Sequence, residues 1–169
     1  VKPLVVFFTR EGSTRILAQA AAEKLQCATR ELVDTKERKS MPSAAFSALL
    51  RWKAKLQNPD FSTEGFDLLV LMTPIWASNL PPAMNTFLAK ASLQGKNVVL
   101  VGVGAGNANP NALEKFQGVA KKKGANVVAA LDCLGIQLMK ETASEQEDAL
   151  KERGTKLGET ILEKAGTEK

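Results

Sequence analysis

Histidine and tyrosine are both absent from the 169 residues. Their absence excludes Ser-His-Asp and Cys-His nucleophilic catalysis, any histidine-ligated zinc, iron or haem centre, and a tyrosine acid/base. Cysteine is nearly missing as well. Cys27 and Cys133 stand far apart, with no CxxC pair, no four-ligand metal set and no disulfide framework, a usage expected of a reducing cytoplasm. No apolar run approaches the ~20 residues needed to span a bilayer. The opening Val1-Lys2-Pro3 leads into a strand pattern without the charged and apolar regions of a signal peptide. A chain this poor in acid/base side chains, if it performs redox or group-transfer chemistry, takes its reactive part from a bound organic cofactor.

What is present is ordinary for a soluble globular protein: 44% hydrophobic and 24% charged residues. The length predicts a single domain over residues 1–169. The net charge of +5 is local. Between Lys36 and Lys55 six basic residues (Lys36, Arg38, Lys39, Arg51, Lys53, Lys55) face one acid, Glu37, and the remainder of the chain sums to neutral. Such a segment reads as a solvated helix face, or as a docking face for an acidic partner protein or anionic surface. No helix-turn-helix, RRM or OB pattern accompanies it, so nucleic acid is not the expected partner. Trp52, on the same segment, is expected to pack.

Apolar runs alternate with helix-period segments along the chain. Leu4-Val5-Val6-Phe7-Phe8 predicts a first strand, and Ile16, Leu17, Ala20, Ala21 and Leu25 predict a helix over 13–25. Further strands are predicted at 28–33, 66–72, 97–101 and 126–133. The intervening helices are expected at 43–56, from Pro81-Pro82 through Leu88, at 111–123 and at 144–164. Alternating strands and helices imply parallel pairing with right-handed crossovers. Strands apolar on both sides fit an α/β sheet covered by helices on both faces, a doubly wound three-layer sandwich. Ligands of such sheets bind outside the carboxyl ends of the strands. That directs attention to the segments after Phe8, Met72 and Val101.

After the first strand, Thr9-Arg10-Glu11-Gly12-Ser13-Thr14-Arg15 sets three hydroxyls and a glycine where strand turns into helix. Amides at that helix start, backed by the helix dipole, suit a phosphate, and Thr9, Ser13 and Thr14 can complete the cradle without a lysine. The same residues also suit an ordinary helix N-cap. After the third strand, Thr73-Pro74-Ile75-Trp76-Ala77 carries a tryptophan that either faces a planar ligand or folds back onto the core. After the fourth, Gly102-Val103-Gly104-Ala105-Gly106-Asn107 lets backbone approach a ligand closely. Asn107 replaces the third glycine of a dinucleotide fingerprint, and the segment follows the wrong strand for one.

These pieces, with Pro82, Phe87-Leu88 and Gly95-Lys96, resemble the flavodoxin-like family of FMN-binding proteins over residues 4 to about 110. The resemblance implies a flavodoxin-like three-layer α/β/α sandwich with a five-stranded parallel sheet in the order 2-1-3-4-5. It implies FMN as cofactor, with Thr9, Ser13, Thr14 and the amides of Arg10, Glu11, Gly12, Ser13 and Thr14 holding the phosphate. Thr73, Pro74, Ile75, Trp76 and Ala77 would line the isoalloxazine, with Trp76 stacking on it, and Gly104, Ala105, Gly106 and Asn107 would form the opposite wall. The implied activity is electron transfer or two-electron reduction of a quinone or NAD(P)H-linked substrate. Whether the chain is an electron carrier or an FMN-dependent oxidoreductase stays open, as does its oligomeric state.

Three positions depart from the family pattern. Glu11 stands where a second hydroxyl is usual and opposes a phosphate unless it turns to solvent or pairs with Arg10 or Arg15. A similar acid occurs in the menaquinone-dependent protoporphyrinogen oxidases, which this loop also resembles and which bind FMN. Trp76-Ala77-Ser78-Asn79 lacks the glycine at which many flavodoxins turn a peptide over toward the reduced flavin. A β-carbon disfavours positive φ, which predicts a bias to two-electron chemistry. The missing tyrosine leaves the outer flavin face open to a flat substrate. The competing reading, kept alive by Glu11, is a flavodoxin-fold binding module without FMN that docks an acidic partner through residues 36–55.

Overall fold

The computed structural model describes residues 1–35, 53–104, 109–136 and 143–166. The elements run β1 (Pro3–Phe7), α1 (Ser13–Leu25), β2 (Ala28–Glu31), β3 (Leu68–Pro74), α2 (Pro82–Lys90), β4 (Asn97–Gly104), α3 (Pro110–Lys122), β5 (Asn126–Leu134) and α4 (Ala143–Gly166). All strand pairs are parallel, in one five-stranded sheet of order β2-β1-β3-β4-β5. This is the flavodoxin-like α/β architecture expected from the sequence.

Strand side chains alternate faces, so each strand feeds two cores. Leu4, Val6, Leu69, Leu71 and Leu100 pack with Met84 and Phe87 of α2 and Phe116 of α3. Val5, Phe7, Val70, Met72, Val99 and Val101 pack with Leu17 of α1 and with Leu150 and Ile161 of α4. Prolines at the first turn start α2 and α3, and the Asn109 side chain caps α3 by accepting from the Ala112 amide at 3.3 Å. Among the described residues no helix is long and apolar enough to cross a membrane.

Three boundaries differ from expectation. β3 runs on through Thr73-Pro74 and β4 through Gly102-Val103-Gly104, because these residues remain in register with one another and with β5. Their loop-like composition conceals ladder partners. Of the helix expected over 43–56, the end lies in described residues and is not helical, with Leu56 in an isolated antiparallel bridge to Asp34. The Thr86 hydroxyl there lies 2.8 Å from both the amide and the carbonyl of Ala54, while Thr35 donates to the Lys55 carbonyl and Gln57 to that of Val33. The rest of that helix, Trp52 and most of the basic segment 36–55 lie outside the described residues.

α4 lies close on α1 because glycines meet a row of small residues. A β-carbon at Gly154 would lie 2.6 Å from the Leu17 carbonyl oxygen and 2.7 Å from the Ala20 β-carbon, while Gly118 of α3 has nothing within 4 Å. Gly154→Ala should therefore destabilise the protein by about 1–3 kcal/mol, the usual result of overpacking. Gly118→Ala should stabilise it by about 0.5–1 kcal/mol through helix propensity alone. Urea unfolding of the two variants checks the contrast.

Candidate functional site

β1 delivers the chain to the carboxyl edge, where the Phe8 amide still donates to the Met72 carbonyl at 3.1 Å. The next four residues close on themselves, with the Gly12 amide donating to the Thr9 hydroxyl at 3.0 Å. Gly12 occupies the N-cap of α1 at φ 98°, a left-handed conformation natural to glycine. It has no side chain to cap with, and no acidic residue occupies the first turn. The amides that open α1 thus carry no side-chain cap and have the positive end of the dipole behind them, an arrangement that can hold an anion. The ordinary capping role open to Ser13 and Thr14 in the sequence is not the one taken. Glu11 points half-exposed toward solvent and pairs with Arg10 at 3.8 Å. Arg15 is committed elsewhere, donating to both Glu31 carboxylate oxygens at 2.9 and 2.7 Å, and this hydrogen bonding raises its already high pKa.

The second wall grows from β3. The Ile75 amide donates to the Val103 carbonyl, so the segment stays tied to the sheet beyond the strand end. Trp76 and Asn79 then exchange two backbone hydrogen bonds of 3.0 and 2.9 Å around a tight turn. Ala77 at φ 46° and Ser78 at φ 56° give this turn the I′ pattern, normally the territory of Asn and Gly. A β-carbon makes positive φ costly, and both residues nevertheless sit there, at about 1–2 kcal/mol each. Three further hydrogen bonds hold them, one from within the turn and two from residues 109 and 115. Asn79 Nδ2 donates to the Ala77 carbonyl at 2.7 Å, Lys115 Nζ to the Ser78 carbonyl at 3.2 Å, and Asn109 Nδ2 to Ser78 Oγ at 3.3 Å.

Trp76 is only 6% exposed and meets Phe8 edge-to-face, centroids 5.6 Å apart at 78°. Most of its ring belongs to the core, while Pro74 and Ile75 beside it are more accessible. The third wall is the end of β4, Val103-Gly104, to which Gly135 is joined by a 2.8 Å bond to the Gly104 carbonyl.

Arg10, Glu11, Ser13 and Thr14 enclose one side of a cavity of about 250 Å³. Pro74, Ile75 and Trp76 form its apolar side, and Val103, Gly104, Gly135 and Ile136 close it. Three segments singled out from the sequence are therefore brought together. Thr9, Gly12, Thr73 and Ala77 are outside the lining: Thr9 shapes the loop, and Thr73 is fully buried in β3. Ala105, Gly106 and Asn107 lie outside the described residues. Gly135 and Ile136 were not foreseen. The available signal was a glycine directly after the fifth apolar run: a β-carbon at Gly135 would come within 2.8 Å of Val103 Cγ1 and 3.6 Å of Ser13 Oγ.

An open helix head, hydroxyls and an arginine on one side, with an apolar wall on the other, fit a phosphorylated planar cofactor. Fold and site together define an FMN-binding flavodoxin-like redox protein. Residues 8–132 match the family model described as NADPH-dependent FMN reductase, and the chain belongs to that family. FMN is accordingly its cofactor, which decides against the module without FMN. No curated protein matches the sequence. Among solved structures, a protein from Bacteroides uniformis ATCC 8492 is similar at TM-score 0.71 and 22% identity, over 85% of this chain and 96% of that one. Oxidised flavodoxin 2 from Bacillus cereus is similar at TM-score 0.59 and 19% identity, over 97% and 99%. A Lactobacillus acidophilus NCFM flavoprotein in complex with FMN is similar at 0.61 and 18%, over 78% and 92%. At these identities the likeness establishes a shared fold.

Because Trp76 is packed as a core residue, Trp76→Ala should lower stability by about 3–5 kcal/mol. Trp76→Phe should retain most of the stability. Denaturant titration of the two variants distinguishes this from a ring that merely lies on the surface of the site.

Proposed function

We propose that this protein is an FMN-dependent reductase that takes a hydride from NADPH and delivers two electrons to a small flat acceptor such as a quinone. The observation that carries the proposal is the α1 head, free of any side-chain cap, opening into the same cavity as the apolar Pro74-Ile75-Trp76 wall. FMN, when bound, supplies the redox chemistry. The chain supplies binding and orientation. Ser13 and Thr14, with the amides of residues 10–14, bind the phosphate, and Thr9 and Gly12 hold that loop in shape.

Arg10 offsets the Glu11 carboxylate next to the phosphate position. Thr73 anchors the wall from within β3, Pro74, Ile75 and Trp76 set the plane against which the ring system lies, and Ala77 begins the turn that follows. Val103 and Gly104, with Gly135 and Ile136, close the opposite side. Both carbonyls of the Ala77-Ser78 turn are engaged by protein donors, which opposes peptide reorientation during stepwise transfer and supports two-electron chemistry. A reducing, cytoplasmic setting suits the two free thiols, Cys27 and Cys133, each pushed up in pKa chiefly by burial.

Purified apoprotein should take up FMN at micromolar concentration and turn yellow; protein that stays colourless overturns the flavin reading. In anaerobic stopped flow the flavin absorbance should bleach faster with NADPH than with NADH, whereas a pure electron carrier is bleached by neither. Glu11→Gln should tighten FMN binding about two- to fivefold, the scale of a partly exposed charge interaction. That gain should shrink as salt is raised, measurable by flavin fluorescence quenching.

A further inference from the structure

The geometry points to Lys115 as a positioning residue for the flavin site, an inference that rests on the FMN reading above. Lys115 lies on the exposed side of α3, outside the cavity lining. Its ammonium donates to the Ser78 carbonyl and to Asn79 Oδ1, each at 3.2 Å. Asn79 in turn donates to the Ala77 carbonyl at 2.7 Å, so a single cation holds both carbonyls of the turn, one directly and one through Asn79. Asn109 adds a second tie from the same helix: it donates to Ser78 Oγ while capping α3 through the Ala112 amide.

The clamped turn is the one place on this wall where two residues with β-carbons occupy left-handed backbone, at φ 46° and 56°. Left to themselves, Ala77 and Ser78 prefer negative φ. Pro74, Ile75 and Trp76, which line the cavity, run directly into this turn. Relaxation of the turn therefore shifts the wall. If only the clamped form accepts the ring, apparent FMN affinity falls with the fraction of protein in that form. Lys115 thus acts on the cofactor through the turn rather than by touching it.

The test is a double-mutant cycle in the full chain, with Lys115→Met, Lys115→Arg, the pair Ala77→Gly and Ser78→Gly, and the combination of that pair with Lys115→Met. Two readouts are taken: FMN dissociation constants by fluorescence quenching, and amide hydrogen exchange of Trp76 and Asn79 in the apoprotein. Lys115→Met should raise the FMN dissociation constant about tenfold and speed both amides by a similar factor, as the open turn becomes populated. Lys115→Arg should restore most of the affinity.

With glycines at both positions the turn needs no clamp, and the same Lys115→Met step should change affinity by less than about threefold. Unchanged affinity and exchange in Lys115→Met overturn the inference. So does an equal loss of affinity in both backgrounds, which assigns the effect to charge alone. A parent chain that binds no FMN sinks the flavin reading, while the exchange measurements on the apoprotein still decide the clamp.

Discussion

Parallel pairing among β1, β3 and β4 is the constraint from which the site follows. Such a ladder is buried on both faces, demands apolar side chains above and below, and brings all its carboxyl ends to one edge. The chain obeys this closely, since Leu69 to Met72 and Val98 to Val101 are fully enclosed. Because pairing continues to Pro74 and Val103, β3 and β4 carry the chain directly into two walls of the cavity. The third side is the head of α1, brought to the same edge by the first crossover. A site assembled in this way needs little from side-chain chemistry, and it can operate without histidine or tyrosine.

Stability and strain are unevenly distributed over this frame. On the face carrying α1 and α4, glycines 154 and 158 let two helices approach until backbone meets backbone, so that face tolerates little change in volume. On the site edge the opposite economy holds. Ala77 and Ser78 are kept in an unfavoured conformation by hydrogen bonds that reach across from α3. Strain of this kind persists where surrounding structure over-determines it, and it is found at places that must present a fixed shape to a ligand. The α1 end of the cavity uses glycine at positive φ instead, with Gly12 turning the chain at no steric cost and the α1 amides carrying no side-chain cap.

Much of this was legible in the sequence. Each β-branched run became a strand, the Gly12 loop marked the start of α1, and the resemblance carried by residues 9–14 and 73–76 indicated the cofactor. Thr73-Pro74 and Gly102-Val103-Gly104 read as loops because their own composition is that of loops; only neighbouring strands make them β. The end of the helix expected at 43–56 is not helical, because Thr86, more than thirty residues later, binds both backbone groups of Ala54. Trp76 taken alone reads as a core residue and gains a ligand reading only from the neighbouring loop, and beside Phe8 most of its ring is in the core.

The sequence by itself determined the layered α/β architecture and the edge at which the site lies, while the ligand was implied by resemblance to a known family. Apolar periodicity and the glycine-hydroxyl loop are local signals, and local signals suffice where burial and backbone geometry are set within a few residues. Only the tertiary structure decided that Gly135 and Ile136 close the cavity, that Arg10 rather than Arg15 answers Glu11, and that Lys115 holds a left-handed turn. Each of these depends on side chains whose neighbours are chosen by how the helices settle on the sheet. No spacing along the chain carries that information.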